Sequence, residues 1–214
     1  MHRYLVTGTD TDIGKTRVTA ALGRSLKDRG LDPTIVKLVQ TGLKAGEESD
    51  AARAGRLADC RNLELARFAR AADPWSAALA QGAPSAQAED LATVLAGIPG
   101  ALVCEGAGGL AVPLNRWQNF GTIARIANLR IVLAVGLRIG CMNHALLTLI
   151  LCEQLQLSLA GGVLVERFGS TEASYQDDIR RALQGKLEIL GTLRFESDEA
   201  RSIEEGARLF TALT

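Results

Sequence analysis

The segment that most constrains the fold lies near the start of the chain, where a short apolar run leads into a glycine-containing turn. Residues 4–7 are apolar and β-prone, the turn ends in a Gly-Lys-Thr triplet, and residues 17–27 follow a helical pattern. A strand, a turn and a helix in this order predict a phosphate-binding loop, because backbone N–H groups at the helix start converge on an anion. We expect Lys15 to reach the β- and γ-phosphates and the Thr16 hydroxyl to hold Mg²⁺.

This loop is one residue longer than the usual phosphate-binding loop. Five residues lie between Gly8 and Gly14, whereas the usual spacing has about four. Thr9 stands where the first glycine would fall. The simpler interpretation is an ordinary glycine-containing βα turn with a lysine on the surface, and the strand–turn–helix context favours the nucleotide site over it.

The composition is typical of a globular protein and argues against several classes of function. We expect the 214 residues to form one domain, residues 1–214, with a sizeable core. Basic and acidic residues balance at 24 each and aromatic residues make up only 4%, so no nucleic-acid partner is expected. The two histidines, His2 and His144, are too few for a His-rich zinc site and make a Ser-His-Asp triad improbable.

Neither a membrane partner nor secretion is expected. The chain enters its first strand without the pattern of a secretory leader, and its longest apolar run, near residues 145–152, is too short to span a membrane. The four cysteines show no Cys-x-x-Cys spacing. We therefore expect reduced thiols in a cytoplasmic protein.

Short apolar segments alternate with helical patterns along the rest of the chain. Strands are predicted at residues 33–39, 101–104, 131–135, 159–165 and 187–193, and helices at 50–65, 88–96, 120–128, 141–156, 171–184 and 197–213, while 66–87 gives no clear pattern. This alternation predicts an α/β fold with a mostly parallel sheet flanked by helices on both faces, of the P-loop NTP hydrolase type. Ligands bind such sheets beyond the carboxyl ends of the strands.

Charged residues at strand ends are the next candidates. Lys37 is interpreted either as a second cation facing the phosphates or as a lysine whose side chain reaches the surface. Glu105 follows the apolar run 101–104, as a metal-holding carboxylate does in nucleotide hydrolases, although an exposed glutamate in a tight turn is the alternative. Asp50 is explained more simply as a carboxylate at a helix N-terminus. Together with Thr16, these two carboxylates would still suit Mg²⁺.

Five motifs, in order and over nearly the whole chain, resemble the dethiobiotin synthetase family. They are the loop 8–16 with its extra residue, Lys37 with the Thr41-Gly42 pair, the triplet 49–51, the run 105–109 and the run 140–145. The resemblance implies an ATP-dependent ligase that forms C–N bonds in biotin biosynthesis. Members convert 7,8-diaminopelargonic acid, CO₂ or bicarbonate, and Mg-ATP into dethiobiotin, ADP and phosphate through a carbamic–phosphoric anhydride. They are homodimers with a shared active site.

The resemblance also implies roles for individual residues. Lys15 and Lys37 would stabilise the transferring phosphoryl group, and Mg²⁺ would be held by Thr16, Asp50 and Glu105. The ATP contacts would come from Thr11, Asp12, Ile13, Gly14, Lys15, Thr16, Arg17, Asp50, Glu105, Gly106, Ala107, Gly108, Val165, Glu166, Arg194, Phe195 and Glu196. The substrate contacts would come from Thr41, Gly140, Asn143 and Tyr175, the last three in a site shared between subunits.

Three segments depart from the family pattern. Residues 72–79 lack a usual Pro-His pair, the run 164–167 lacks an asparagine that commonly reads the adenine, and the run 193–196 lacks a Pro-Trp pair. A site without an amide for the base edge cannot reject other bases strongly. We therefore expect weak discrimination between ATP and other nucleoside triphosphates.

Three alternative functions belong to other protein classes or to a diverged relative. ATP-dependent amidotransferases share this type of loop, but the chain has no room for their glutaminase domain. Partitioning ATPases of the ParA and MinD type carry an additional lysine early in the loop, and residues 9–13 contain none. A family relative acting on another amine stays open because of the altered segments.

Overall fold

The computed structural model describes residues 2–44, 46–167, 169 and 171–213. Its strands are β1 (Arg3–Gly8), β2 (Thr34–Lys37), β3 (Gln40–Thr41), β4 (Arg61–Glu64), β5 (Arg67–Phe68), β6 (Leu102–Glu105), β7 (Arg130–Gly136), β8 (Leu159–Val165) and β9 (Ile189–Leu193). Its α-helices are α1 (Lys15–Asp28), α2 (Asp50–Ala58), α3 (Pro74–Ala80), α4 (Ala88–Ala96), α5 (Phe120–Ile126), α6 (Cys141–Gln154), α7 (Ala173–Leu183) and α8 (Glu199–Ala207). Among these helices, none combines the length and the apolar character needed to cross a membrane.

Seven strands form one sheet in the order β4-β2-β6-β1-β7-β8-β9, and every pair in it is parallel. The short strands β3 and β5 form a separate parallel pair. Crossover helices lie between the sheet strands along the chain, as parallel pairing requires. The predicted α/β fold with a mostly parallel sheet is confirmed.

Both faces of the sheet are covered, which explains why the strands are apolar at successive positions. On the central strand, Tyr4 and Val6 belong to the core beneath α1, α2 and α8. The alternate residue Leu5 belongs to the core on the other face, with residues of α4 and α5. Side chains of successive strand residues point to opposite faces, so a strand covered on both sides needs apolar residues throughout.

The predicted helix over residues 50–65 is wrong in its second half. Helix α2 ends at Ala58, where Asp59 adopts a left-handed conformation with φ of 53°. The chain then forms β4, which pairs with β2 at the edge of the sheet. Residues of β4 are largely exposed and polar, so this edge strand lacks the apolar pattern by which a strand is recognised.

The unassigned segment 66–87 contains β5 and the short helix α3. The Asp73 side chain accepts a hydrogen bond from the Ser76 N–H, and Pro74 stands in the first turn of α3, a combination that starts a helix well. The predicted closing helix over 197–213 is α8 followed by a 3₁₀ turn at Arg208–Phe210.

Candidate active site

The glycine before α1 sets the shape of the predicted phosphate loop. Gly14 is the N-cap of α1 and has φ of 97°, in the left-handed region that favours glycine. A Cβ at this position would lie 2.9 Å from Cγ1 of Val165, at the end of β8. The loop therefore approaches the neighbouring strand too closely for any side chain here.

Thr9, which stands where a glycine would usually fall, anchors the loop to β7. Its N–H donates to the Ala134 carbonyl oxygen at 3.0 Å, and its Oγ1 accepts from the Gly136 N–H at 3.2 Å. This side chain fixes the start of the longer loop to the neighbouring strand.

Lys15 begins α1 and folds back over the loop. Its Nζ donates to the Asp10 carbonyl oxygen at 2.7 Å, and the side chain is buried. Burial lowers the pKa of Lys15 to about 8, against the opposing charge of Glu105. An anionic phosphate beside Nζ would compensate the charge that burial disfavours.

Lys37 lies at the centre of a charge cluster and does not reach the surface. It ends β2 directly beside Glu105, which ends the adjacent strand β6. Its Nζ lies 2.6 Å from Asp50 Oδ2 and 2.8 Å from Glu105 Oε1, and it donates to the Gly106 carbonyl oxygen at 3.1 Å. The residue is only 3% exposed. Burial acts to lower the pKa of Lys37, but the charges of Glu105 and Asp50 have the larger combined effect. The pKa is therefore raised above its usual value.

Glu105 joins this cluster to the phosphate loop. It is 2% exposed, and its Oε1 accepts from the Thr16 Oγ1 hydroxyl at 3.2 Å. Within the part of the chain that the structure describes, the buried Oε2 has no hydrogen-bond partner. A buried carboxylate oxygen without a partner is costly, so the site is suited to an additional cation.

The donor set fits Mg²⁺. The carboxylates of Asp50 and Glu105 share the Lys37 ammonium, and the Thr16 hydroxyl donates to Glu105. Two carboxylates and a hydroxyl suit an ion that also keeps water and phosphate oxygens. No cluster of three or more His, Cys, Asp or Glu ligands occurs among the described residues, so the donor set differs from that of a site built entirely from such ligands.

Asp50 is both the helix-terminal carboxylate and a member of the cluster, so its two interpretations are compatible. It is the first residue of α2, whose N-cap Ser49 accepts from the Ala52 N–H at 3.2 Å. Its own N–H donates to Gln40 Oε1 at 3.1 Å. The cap and this amide together hold the carboxylate over the end of β2.

A cleft of about 290 Å³ lies over these residues. Twelve of the predicted site residues line it: Thr11, Asp12, Gly14, Lys15, Thr16, Arg17, Lys37, Thr41, Asp50, Glu105, Ala107 and Gly108. Three lining residues were not predicted, namely Gln40, Arg53 and Arg167. Arg53 follows Asp50 by three residues, a helical spacing from which its position was predictable.

Seven of the predicted nucleotide contacts are absent from the lining, and two of these, Ile13 and Gly106, serve the scaffold near the phosphate loop. The side chain of Ile13 is buried in the core, which leaves its backbone available to a ligand. The Gly106 carbonyl oxygen accepts the Lys37 hydrogen bond.

The predicted base-side residues lie at the ends of β8 and β9 and outside this lining. The Glu166 carboxylate accepts from the Thr171 N–H at 2.9 Å, from Gln176 Nε2 at 3.2 Å and from the Phe195 N–H at 3.2 Å. Arg17, on α1, donates to the Glu166 carbonyl oxygen at 3.0 Å and also to that of Arg194. The Glu166 carboxylate therefore connects the segment after β8 with the segment after β9, and three protein donors already bind it. Val165 and Glu196 are the other members of this group.

Of the predicted substrate residues, only Thr41 lines the cleft. Gly140 is the N-cap of α6 with φ of 91°, and Asn143 is exposed in the first turn of that helix. The Tyr175 hydroxyl donates to the Arg138 carbonyl oxygen at 3.0 Å. These three residues form a separate group on the side of β7 and α6.

Relatives of this chain are dethiobiotin synthetases. A protein-family model described as an AAA domain matches residues 2–200. The ATP-dependent dethiobiotin synthetase of Anaeromyxobacter sp. (strain K) is 38% identical over 170 residues, 77% of this chain and 76% of that protein. The one from Nitrosospira multiformis is 33% identical over 94% of this chain and 92% of its own length. The chain belongs to the dethiobiotin synthetase family.

Solved structures with little sequence identity share its fold. A ParA family ATPase from Chlorobium tepidum superposes with a TM-score of 0.61 at 12% identity, over 98% of this chain and 90% of that one. The MinC:MinD complex of Aquifex aeolicus gives 0.58 at 14% identity, over 99% and 89%. These similarities concern the P-loop ATPase fold alone, and the ParA or MinD alternative gains no further support from them.

Proposed function

We propose that this chain is a cytoplasmic dethiobiotin synthetase that folds as one domain and acts in biotin biosynthesis. It converts 7,8-diaminopelargonic acid, CO₂ and Mg-ATP into dethiobiotin, ADP and phosphate. The observation that carries the proposal is the buried position of Lys37 between Asp50 and Glu105, beside the phosphate loop. In a chain of this family, that cluster supplies the cations and oxygen ligands that phosphoryl transfer requires.

In the proposed mechanism, an amine of the substrate combines with CO₂ to a carbamate, whose oxygen attacks the γ-phosphorus. The bond from that phosphorus to the bridging oxygen breaks, and ADP leaves. The second amine then attacks the carbonyl carbon of the carbamic–phosphoric anhydride and expels phosphate. Lys15 and Lys37 stabilise the negative charge on the transferring group, and Thr41 contacts the diamine or its carbamate.

Mg²⁺, held by Thr16, Asp50 and Glu105, would neutralise phosphate charge. The ion would share the charge compensation of the two carboxylates that Lys37 now provides. The proposed role of the Lys37 ammonium is to donate to phosphate oxygens. The unpartnered Oε2 of Glu105 supports this assignment.

The enzyme is proposed to act as a homodimer with a shared substrate site. Ile139 is 95% exposed, and Leu147 and Ile150 of α6 are at least half exposed. Asn143 lies one turn before Leu147, so this apolar surface adjoins a predicted substrate residue. Sedimentation equilibrium should give twice the chain mass, and a monomer mass at micromolar concentration would reject the dimer.

Incubation with diaminopelargonate, bicarbonate, Mg²⁺ and ATP tests the proposed activity. Equal amounts of dethiobiotin and phosphate are expected. If nucleotide binds and no dethiobiotin forms, the proposed substrate is wrong, and other diamines and amines should then be screened for ATP-dependent phosphate release.

Weak selection of the nucleobase is expected. The run 164–167 offers no amide side chain, and the Glu166 carboxylate is already bonded to three donors. A site that cannot pair with the base edge discriminates weakly. We expect kcat/KM for CTP within about fivefold of that for ATP. GTP and UTP serve as comparisons, and an ATP preference of about a hundredfold or more would contradict the prediction.

A further inference from the structure

Arg53 lines the cleft, although no motif pointed to it. It lies on α2 three residues after Asp50. Residues three apart share a helix face, and both Arg53 and Asp50, the carboxylate predicted to hold Mg²⁺, line the cleft. The cleft receives a cation at this position from α2, separate from those of the phosphate loop.

Arg53 forms an ion pair with Glu199, the first residue of α8. The side chains are 48% and 36% exposed, respectively. Exposed pairs of this kind contribute little to stability. Glu199 does not line the cleft, and its carboxylate lies in the first turn of α8, where the helix dipole stabilises negative charge. The Arg53 guanidinium can therefore leave Glu199 at small cost.

Other cations at the cleft have structural partners. Lys37 is paired with Asp50 and Glu105. Arg17 donates to carbonyl oxygens at the ends of β8 and β9, and these bonds hold the loops together. Releasing either side chain would leave buried polar groups without partners, whereas releasing Arg53 would not.

The lining of the cleft brings Arg53 and the phosphate loop together. It includes Lys15, Thr16 and Arg17 at the start of α1 as well as Asp50 and Arg53 of α2. The two helices pack against each other. A triphosphate seated at the start of α1 would therefore lie in the cleft that Arg53 lines.

We propose that Arg53 is a phosphate-binding residue, which exchanges Glu199 for the triphosphate of the bound nucleotide. The inference rests on the proposed nucleotide site and adds a residue to it. An arginine donates to phosphate through several N–H groups, which makes the new contact stronger than the exposed pair that it replaces. Glu199 then acts as a competing anion that weakens nucleotide binding.

Titration of the full-length protein with a fluorescent ATP analogue tests this exchange. Arg53→Ala should weaken binding about tenfold, the loss of one charge-assisted contact. Glu199→Gln should strengthen binding about threefold, because the competing carboxylate is gone. In the Arg53→Ala background, Glu199→Gln should change nothing, since the two residues act through one contact.

Arg56→Ala is the matched control. Arg56 lies on the same helix, is similarly exposed, and pairs with Glu48 at 2.8 Å away from the cleft lining. Arg56→Ala changes the net charge by the same amount as Arg53→Ala, and it should leave nucleotide affinity within about twofold of the parent value. Equal losses of nucleotide affinity in Arg53→Ala and Arg56→Ala would overturn the inference, because the net charge of the protein would then explain both.

Competition by inorganic tripolyphosphate separates a phosphate contact from a base contact. Arg53→Ala should weaken the binding of tripolyphosphate as much as the binding of the ATP analogue. A loss of affinity for the analogue alone would overturn the phosphate assignment. If the parent protein binds nucleotide but forms no dethiobiotin, the proposed synthetase activity is rejected and the proposed role of Arg53 still stands. Failure of the parent protein to bind nucleotide would reject both.

Discussion

Replacing Lys37 by alanine is expected to lower kcat by at least about a thousandfold while nucleotide affinity stays within about threefold. The ammonium lies between Asp50 and Glu105 in the structure, and in the proposed mechanism it stabilises charge that develops on the transferring phosphoryl group. Such stabilisation is realised mainly in the transition state, so its loss appears in kcat. Steady-state kinetics and titration with an ATP analogue measure the two quantities separately.

Thermal unfolding shows whether the lower kcat of Lys37→Ala comes from the missing ammonium or from unfolded protein. Lys37→Ala leaves two carboxylates close together without their shared cation, which should cost about 3 kcal/mol of unfolding free energy. Mg²⁺ should therefore raise the Tm of the variant more than that of the parent protein, because the ion replaces the missing charge.

Lys27→Ala, at an exposed lysine of α1 that pairs with Asp59, is the control and should leave kcat unchanged. Retained turnover in folded Lys37→Ala would show that its proposed role is wrong.

Glu105→Gln is expected to weaken metal binding by at least about tenfold and to destabilise the protein. The substitution keeps the size of the side chain and removes the charge that faces Lys37 and accepts from the Thr16 hydroxyl. The buried ammonium keeps only Asp50 as its charged partner, so we expect a loss of about 2 kcal/mol, or about 5 °C in Tm. Mn²⁺ titration followed by electron paramagnetic resonance measures affinity, and calorimetry measures Tm.

Glu64→Gln is the matched control for this substitution. Glu64 ends β4 and pairs in register with Lys37 from the opposite side to Glu105. It forms its ion pair with Arg67, whose side chain is 55% exposed, so the substitution should cost less than about 1 kcal/mol. Unchanged Mn²⁺ affinity in Glu105→Gln, or an equal Tm loss in both variants, would contradict the assigned role.

Local patterns predicted those parts of the fold that are buried on both faces. Strands such as β1 and β7 are covered by helices on each side, so their apolar runs stand out in the sequence. The edge strand β4 is largely exposed and polar, and its sequence was assigned to a helix. An exposed edge carries no apolar signature, because pairing with one neighbour through backbone hydrogen bonds requires none.

The site divides in a similar way between short-range and long-range determinants. The phosphate loop is continuous in sequence, so its glycines, Lys15 and Thr16 were recognisable directly. The surface interpretation of Lys37 and the functional one were equally compatible with its sequence. The register that sets Lys37 beside Glu105, 68 residues further along the chain, contradicts the surface interpretation. The role of Lys37 toward the phosphates stays a prediction. Arg53 and Glu199 are 146 residues apart, and no motif joins them.

The sequence alone therefore determined the fold class, the phosphate loop and the family, because each depends on local pattern or on ordered motifs. The tertiary structure decided which charges meet. It places Lys37 between the carboxylates of Asp50 and Glu105, which suit Mg²⁺. It also gives the Glu166 carboxylate donors from two loops, and it brings Arg53 into the cleft. The physical reason is that electrostatic and hydrogen-bond interactions depend on distances between atoms, and parallel strand order sets those distances between residues far apart in the chain.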